Sequence, residues 1–437
     1  MDTKKKKIIL IVLSVLLVIL IPIFIFTLVT YININKEIKN EPNIANNHSS
    51  DPNNELNNNE KPLENIELSG DFDVDIFRQT FVNMPEATNT VISPLSIKIA
   101  MAMAAEGASG NTLTEIQEIL GIDEGTKLEV KELIEQIEND EDIVFDIANS
   151  FWGKEGLEFD PEYITILEQY YSAEVDEVDF TDLATNKLLN DWVSENTNDK
   201  IKTIVSKEET LRSYVAVLIN AIYFNAKWSL QFDEEDTQKD NFSVLDGSTT
   251  EVDLMYLDSD FNYYEDEEIQ AISLPYGESE KYAMKVYLPK AEIDFVDFIT
   301  SLNAEKLFEW NEGFSYEEGI IKLPKFKIEC SNNGFVDILR ELGIKDAFIP
   351  GTADFSKMTA SRKSDVYIDK IIHKTYIDVT EEGTEAAAVT GIFMAGTSAP
   401  SEEQPFNMIV NRPFLFIIED TEDGNILFMG AILNPNE

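Results

Sequence analysis

The spacing of hydrophobic residues divides the chain into three parts. Residues 8–30 are apolar and uncharged, and such a stretch is long enough to span a bilayer as a helix. Residues 33–66 are rich in Asn, Glu and Pro, a composition typical of a disordered tether. Residues 67–437 mix helical and strand-like patterns without a second linker. The pattern therefore predicts an anchor or signal over residues 1–32, then a tether, then one large domain.

Within the large domain, helical spacing of apolar residues gives way to strand-like runs. Helices are predicted over residues 73–83 and after the Ser-Pro pair at 93–94, because Ser is a favourable N-cap and Pro suits the first turn. Thr112 and Glu115 have the spacing of a capping box for a third helix. The run 214–228 is apolar on both faces over much of its length, as expected of a central strand covered on both sides. Strands and helices without regular alternation favour an α+β fold.

The apolar stretch at residues 8–30 follows four lysines, Lys4 to Lys7. Basic residues remain on the cytoplasmic side, so the large domain is expected outside the cell. The stretch is longer than the core of a signal peptide, and no small-x-small cleavage site follows it. We therefore expect a single-pass membrane anchor. The alternative is a cleaved signal and a secreted protein.

Charge and composition exclude several classes of function. Lys and Arg total 34 against 82 Asp and Glu, so the net charge is −48. Such a chain repels phosphate backbones, which excludes nucleic-acid binding and disfavours an anionic polysaccharide cofactor. The only cysteine is Cys330, and the only histidines are His48 and His373. An internal disulfide and a Cys-rich metal site are excluded, and we expect neither a metal nor a cofactor.

One long connection does not fit an ordinary fold. About 27 residues separate the strand-like runs 366–380 and 408–418, and connections of this length are usually functional or disordered. This one is too apolar for a tether, and it alternates as a strand does, with Glu385 on one side. The other side holds Thr384, Ala386, Ala388, Thr390, Ile392 and Met394. A loop with this pattern could enter a sheet; the alternative is an Ala-rich loop without function.

Six blocks of sequence, in order along the large domain, resemble motifs of the serpin family. They are residues 89–96 (NTVISPLS), 220–228 (NAIYFNAKW), 323–326 (LPKF), 381–388 (EEGTEAAA), 408–416 (MIVNRPFLF) and 428–435 (FMGAILNP). The anchor and the tether lie outside the resemblance. It implies the serpin fold, in which a large central β-sheet is accompanied by further sheets, a bundle of about eight or nine helices and an exposed reactive-centre loop.

The resemblance also implies inhibition of a serine protease, or of a cysteine protease, by covalent suicide trapping. The target's nucleophile attacks one bond of the loop and forms an acyl-enzyme. The cleaved loop then inserts into the main sheet before water hydrolyses the ester, driven by strain stored in the native state. The matching hinge residues are Glu381, Glu382, Gly383, Thr384, Glu385, Ala386, Ala387 and Ala388.

Counting along the family's loop places the reactive bond at Thr397–Ser398, with Gly396–Thr397 as the alternative. No Lys or Arg occurs between residues 381 and 404. A trypsin-like target requires one of these residues. The resemblance therefore implies an elastase-like or subtilisin-like target with a small S1 pocket, although a single side chain does not fix the target's identity.

Other residues match the region where the family's main sheet opens. His373 is expected beneath the opening point, with three partners: Ser93, Ser96 and Asn220. Trp228 is expected where the loop first enters the sheet, and Glu381 is expected to pair with Lys325. From residue type alone, His373 and Trp228 would simply be buried core side chains.

The main alternative function is that of a non-inhibitory serpin, which would serve as a binding or structural module at the cell surface. Such members usually carry bulky or charged hinge residues, in contrast to the small side chains here. A hydrolase is disfavoured, because the sequence contains no Gly-x-Ser-x-Gly, His-Glu-x-x-His or P-loop motif. We therefore expect a monomeric inhibitor rather than an enzyme.

Overall fold

The computed structural model of the protein describes residues 68–84, 88–138, 140, 143–206, 211, 214–332, 334–363, 366–384 and 405–437. Nine α-helices lie within these residues. They are α1 (Phe72–Asn83), α2 (Pro94–Gly107), α3 (Gly110–Leu120), α4 (Thr126–Glu138), α5 (Pro161–Tyr170), α6 (Ala184–Glu195), α7 (Phe295–Thr300), α8 (Ala304–Glu312) and α9 (Phe335–Leu342). Short 3₁₀-helices cover Glu234–Asp236, Asp346–Phe348 and Ser356–Met358.

The strands of the described residues form two sheets. In chain order they are β1 (Thr90–Ile92), β2 (Ile143–Lys154), β3 (Glu174–Val178), β4 (Ala216–Lys227), β5 (Gln238–Ser243), β6 (Thr249–Glu265), β7 (Ile269–Tyr276), β8 (Tyr282–Pro289), β9 (Ser315–Pro324), β10 (Phe326–Asn332), β11 (His373–Val379), β12 (Gly383–Thr384), β13 (Phe406–Ile409), β14 (Phe414–Asp420) and β15 (Ile426–Ile432). The nine-stranded sheet has the order β1-β15-β14-β8-β7-β6-β9-β13, with β5 beside β6. The six-stranded sheet has the order β10-β11-β12-β4-β2-β3.

Strand β4 lies inside the six-stranded sheet and is covered on both faces, as its sequence predicted. On one face, Phe224 belongs to the main hydrophobic core and packs against Tyr276 of β7, with 5.2 Å between ring centroids. On the other face, Ile219 and Ala221 belong to a second core that includes Trp192 of α6. The strand therefore separates two cores, which explains its continuous apolar run.

Helix α2 begins where the sequence predicted. The Ser93 side chain accepts a hydrogen bond from the Ser96 N–H at 3.2 Å, and Pro94 lies in the first turn. Eleven residues of the helix are buried, which places one end of the main core under β4 and β15.

The capping box predicted at Thr112 and Glu115 is wrong. Helix α3 begins at Gly110, so both residues lie inside the helix. Instead, Thr112 Oγ1 accepts a hydrogen bond from the Asp354 N–H at 3.0 Å, and the Glu115 carboxylate accepts one from the Lys345 N–H at 2.7 Å. The two side chains attach a distant segment to the helix rather than capping it.

The strand-like runs around the long connection are longer than the strands themselves. Ladder pairing of the first run begins only at His373, which lies opposite Asn332 of β10. Residues 366–372 carry strand-like apolar side chains but precede this ladder. The second run is divided into β13 and β14 by residues 410–413, where Pro413 has no N–H to donate to a ladder.

Candidate functional site at the loop hinge

Strand β12 lies between β11 and β4 in the six-stranded sheet. Thr384 pairs with Val379 of β11 and with Ala226 of β4, antiparallel to both. Gly383 has a φ of +154°, and a Cβ at this position would lie 2.1 Å from the Ala226 carbonyl oxygen. Only glycine fits so close to the neighbouring backbone. Two residues of the predicted hinge are therefore already part of the sheet.

The Thr384 side chain points into the main core and is 1% exposed. Its hydroxyl lies 2.7 Å from the hydroxyl of Tyr276 on β7. Burial raises the pKa of Tyr276, so this hydroxyl stays protonated and satisfies its buried neighbour. The Tyr276 ring in turn stacks on Trp228, with 4.5 Å between centroids. Sequence analysis missed Tyr276, because a Tyr within an apolar strand is typical of core packing.

Trp228 lies directly against the residues that lead into β12. Its indole Nε1–H donates a hydrogen bond to the Thr380 carbonyl at 2.9 Å. Its backbone N–H donates to the Glu382 carbonyl at 3.0 Å. The side chain is 3% exposed. The tryptophan therefore holds both sides of the turn at which the chain passes from β11 to β12.

The ion pair predicted between Glu381 and Lys325 is present, with Lys325 Nζ 2.7 Å from Glu381 Oε2. The other carboxylate oxygen accepts a hydrogen bond from Thr237 Oγ1 at 2.8 Å. Burial by itself raises the pKa of the Glu381 carboxyl, but the hydrogen bonds and charge of Lys325, together with Thr237, bring the pKa below its ordinary value. A charged, fixed carboxylate therefore marks the start of the hinge.

His373 lies at the first position of β11 and is 5% exposed. Its Nε2 accepts a hydrogen bond from the Ser93 N–H at 3.1 Å, and its ring meets Phe335 edge to face at 5.3 Å. Burial lowers the pKa of His373 to about 3. The imidazole is therefore neutral, and because Nε2 accepts, its proton is assigned to Nδ1.

The two other residues predicted around His373 bond to each other rather than to the imidazole. Ser96 Oγ donates a hydrogen bond to Asn220 Oδ1. Asn220 Nδ2 donates to Asn149 Oδ1 at 2.6 Å, and Asn149 Nδ2 donates to the Tyr171 carbonyl at 2.7 Å. This buried polar chain joins α2, β4 and β2. Asn149 was not predicted from the sequence. Its one indication there is that it is a lone Asn inside an apolar strand.

Acidification is expected to destabilise the native protein through His373. Its pKa is about 3 in the folded protein and 6.5 as a reference value, so only the unfolded chain binds the proton between these values. The contribution to stability is full above pH 6.5 and is lost as the pH falls toward 3, by at most about 1.4 kcal/mol per pH unit. The melting temperature of wild type should therefore fall more steeply below pH 6.5 than that of His373→Gln. Parallel declines in the two proteins would contradict this role.

Several predicted residues lie outside the described part of the chain. These are the later hinge residues Glu385, Ala386, Ala387 and Ala388, the reactive bond Thr397–Ser398, and the anchor and tether at residues 1–66. Glu382 is described and is half-buried.

Within the described ranges, no group of three or more His, Cys, Asp and Glu side chains is placed to hold a metal ion. The helices of those ranges also include none with the length and apolarity needed to cross a bilayer.

Comparison with known proteins gives consistent matches over the large domain. A family profile described as "Serpin (serine protease inhibitor)" matches residues 67–435. An uncharacterized serpin-like protein of Thermococcus kodakarensis is 34% identical, over 86% of this chain and 87% of its own. Neuroserpin of Homo sapiens is 31% identical, over 80% and 87%. The crystal structure of a thermophilic serpin, tengpin, in the native state has a TM-score of 0.75 at 31% identity and covers 89% of this chain and 97% of its own.

Proposed function

The chain belongs to the serpin family, and from this premise we propose that it inhibits a serine protease by covalent trapping and loop insertion. The observation that carries the proposal is the position of β12, where Gly383 and Thr384 pair with strands on both sides. The next residues of the chain, 385–404, lie outside the described part, and we propose that they are the inserting loop. If the register of β12 continues, residues 385–394 pair with residues 225 to 216 of β4.

The composition of the loop suits this insertion. In the continued register, Ala386 and Ala388 share the inward face of Thr384, which is 1% exposed. Small side chains enter between two strands with little displacement of the core, whereas larger ones would require the core to repack. The only charged residue in the inserting stretch, Glu385, falls on the opposite face.

The proposed chemistry uses the protease's own nucleophile. That nucleophile attacks the carbonyl carbon of Thr397, the bond to the Ser398 nitrogen breaks, and an ester to the protease remains. Insertion then carries the ester away before water reaches it. Gly396–Thr397 is kept as the alternative bond. Because both candidate residues are small and uncharged, we propose an elastase-like or subtilisin-like target.

We propose that two groups of residues control the opening of the six-stranded sheet. One group lies where the loop enters the sheet, and the other lies further along β4 and β11. Trp228, Lys325 and Glu381 hold the entry point through the contacts described above. Further along the strands, His373 of β11 bonds to Ser93, and Asn220 of β4 bonds to Ser96. Both strands are thereby joined to helix α2. For β4 and β11 to separate, these contacts must break or adjust, so they contribute to the barrier that keeps the sheet closed before cleavage.

Cleavage near Thr397 is expected to raise the melting temperature by roughly 10–25 °C. A new strand of ten residues would bury several apolar side chains, each worth roughly 1.5–3 kcal/mol, and roughly 2 °C follows from each kcal/mol in a domain of this size. Differential scanning calorimetry before and after limited proteolysis measures the change. A nick in an ordinary loop leaves stability equal or lower, so a fall in melting temperature would favour the non-inhibitory alternative.

We also propose that residues 8–30 anchor the protein with its large domain outside the cell, monomeric and without a cofactor. The tether of residues 33–66 would then allow a reach of roughly 30 Å or more, enough for a protease to approach the loop. Mild protease treatment of intact cells should release the large domain in inhibitory form and leave the N-terminal segment in the membrane fraction. Recovery of the large domain in the cytosol, or of a secreted form with no membrane-bound pool, would contradict the anchor.

A further inference from the structure

A cleft of about 580 Å³ lies among helices α2, α3, α4 and α5. This volume falls within the range of roughly 300–1,000 Å³ that is typical of small-molecule sites. Its apolar lining includes Ala102 and Ala105 of α2, Leu113 of α3 and Ile166 of α5. The cleft shares no residue with the hinge or with the contacts proposed to control the opening of the sheet. Its presence is therefore not explained by the proposed function.

Glu106 places a carboxylate in this cleft, and its side chain is only 17% exposed. The residue lies in the last turn of α2, at the negative end of the helix dipole, and that turn contains no basic residue. The Tyr171 hydroxyl donates a hydrogen bond to Glu106 Oε1 at 3.3 Å, and Lys127 Nζ lies 3.6 Å from Oε2. Both distances exceed the length of a charge-assisted hydrogen bond, about 2.5–2.9 Å. The protein therefore neutralises this carboxylate only weakly.

The Lys127 side chain shows what kind of group the carboxylate accepts. It reaches into the cleft from the first turn of α4, beside Glu106. Its ammonium group also lies 5.6 Å from the centroid of the Tyr170 ring, the geometry of a cation–π contact. The ammonium group of a ligand would thus find a carboxylate and an aromatic face already in position, with Lys127 as the internal group that it displaces.

The charges around the cleft favour a cation over an anion. Among the described residues that line it, five carry carboxylates and three carry cations. Arg362 Nη2 lies 2.6 Å from Asp160 Oδ2 and 3.9 Å from Glu162 Oε2, so this cation is already neutralised. Three further carboxylates and one further cation are exposed at the rim: Asp123, Glu124, Glu162 and Lys357. The net charge of −48 also attracts cations from solution.

We propose that this cleft binds a linear aliphatic polyamine. Such a molecule joins ammonium groups through short methylene chains. One ammonium group can pair with Glu106, the methylenes can lie on the apolar lining, and a second ammonium group can pair with the carboxylates of the rim. A metal ion would leave the apolar lining unused, and the described part of the chain has no group of three or more His, Cys, Asp and Glu side chains placed to hold one.

The test is isothermal titration calorimetry of the full chain in detergent with spermidine, at about 0.15 M salt to screen weak surface binding. Glu106→Gln should weaken binding by about tenfold or more, because it removes the buried partner of the ligand's ammonium group. Lys127→Met should tighten binding by about threefold or more, because it removes the competing ammonium group and keeps an unbranched side chain.

The matched controls are Glu251→Gln and Lys239→Met. They remove the same charges from an exposed ion pair, in which Lys239 Nζ lies 3.0 Å from Glu251 Oε1. Each control should leave the affinity for spermidine within about twofold of wild type. Opposite shifts from Glu106→Gln and Lys127→Met, without shifts from the controls, would show that binding depends on this cleft rather than on the net charge.

Several results would overturn the proposal. One is the absence of spermidine binding by wild type. Another is equal weakening by Glu106→Gln and Glu251→Gln, or displacement of spermidine by Mg²⁺ at equal ionic strength, since either would show attraction by the net charge alone. If the melting temperature shows that Glu106→Gln does not fold, Lys127→Met decides the question, and an unchanged affinity contradicts the site. Because no protease is present, these results do not depend on whether the loop inserts.

Discussion

Replacing Thr384 with Arg is expected to turn the protein from an inhibitor into a substrate of its target protease. Thr384 is 1% exposed and lies between two strands, with its hydroxyl 2.7 Å from that of Tyr276. An Arg here would place an unpaired charge in the main core, which costs at least several kcal/mol. The variant would therefore hold residue 384 outside the sheet before cleavage. The first step of insertion, which must then bury the Arg, would slow by about 100-fold or more, because each 1.4 kcal/mol is a factor of ten in rate. Hydrolysis of the ester would then outpace trapping.

The measurement for Thr384→Arg is the stoichiometry of inhibition, the number of inhibitor molecules consumed per protease inactivated. Thr384→Ser is the matched control, since it keeps the hydroxyl that meets Tyr276, and its stoichiometry should stay near that of wild type. An Arg variant that still inactivates protease with the wild-type stoichiometry would show that β12 is not the start of insertion.

Replacing Thr397 with Arg is expected to redirect the protein to trypsin-like proteases. The S1 pocket of such an enzyme holds a carboxylate that pairs with Arg, whereas a small S1 pocket excludes it. The second-order rate constant for a trypsin-like enzyme should rise by at least about 100-fold, and the rate constant for an elastase-like enzyme should fall.

Gly396→Arg is the matched comparison for Thr397→Arg, because it moves the same charge by one residue. The variant that gains the higher rate against a trypsin-like enzyme identifies the residue whose carbonyl is attacked. Retained inhibition of an elastase-like enzyme by both variants, without a gain against trypsin-like enzymes, would place the reactive bond elsewhere in residues 385–404.

The first two helices and the character of β4 could be predicted because they depend on local patterns. The continuous apolar run of β4 requires a core on each face, and the structure has both. The Ser93 N-cap likewise depends only on the residues beside it. Such features are encoded over a few neighbouring positions and do not depend on the rest of the fold.

The cap and site residues that sequence reasoning misread or missed have partners that are distant in the chain. Thr112 and Glu115 have a capping spacing, but their side chains bond to the backbone more than 200 residues away. Tyr276 and Asn149 resemble core residues until the fold brings them to Thr384 and Asn220. A single sequence contains no signal for such pairs. The hinge itself was predicted from its resemblance to a family, and its entry into the sheet required the register of β12.

The most direct test of the account is to incubate the protein with an elastase-like and with a subtilisin-like protease and to analyse the products in SDS and by intact-mass spectrometry. Trapping predicts a one-to-one adduct that survives SDS, in which the protease is esterified to the carbonyl of Thr397, together with a released fragment of residues 398–437. The Thr384→Arg variant should give the same fragment without the adduct. Cleaved wild-type chain beside fully active protease, with no adduct for either enzyme, would contradict covalent trapping of these proteases.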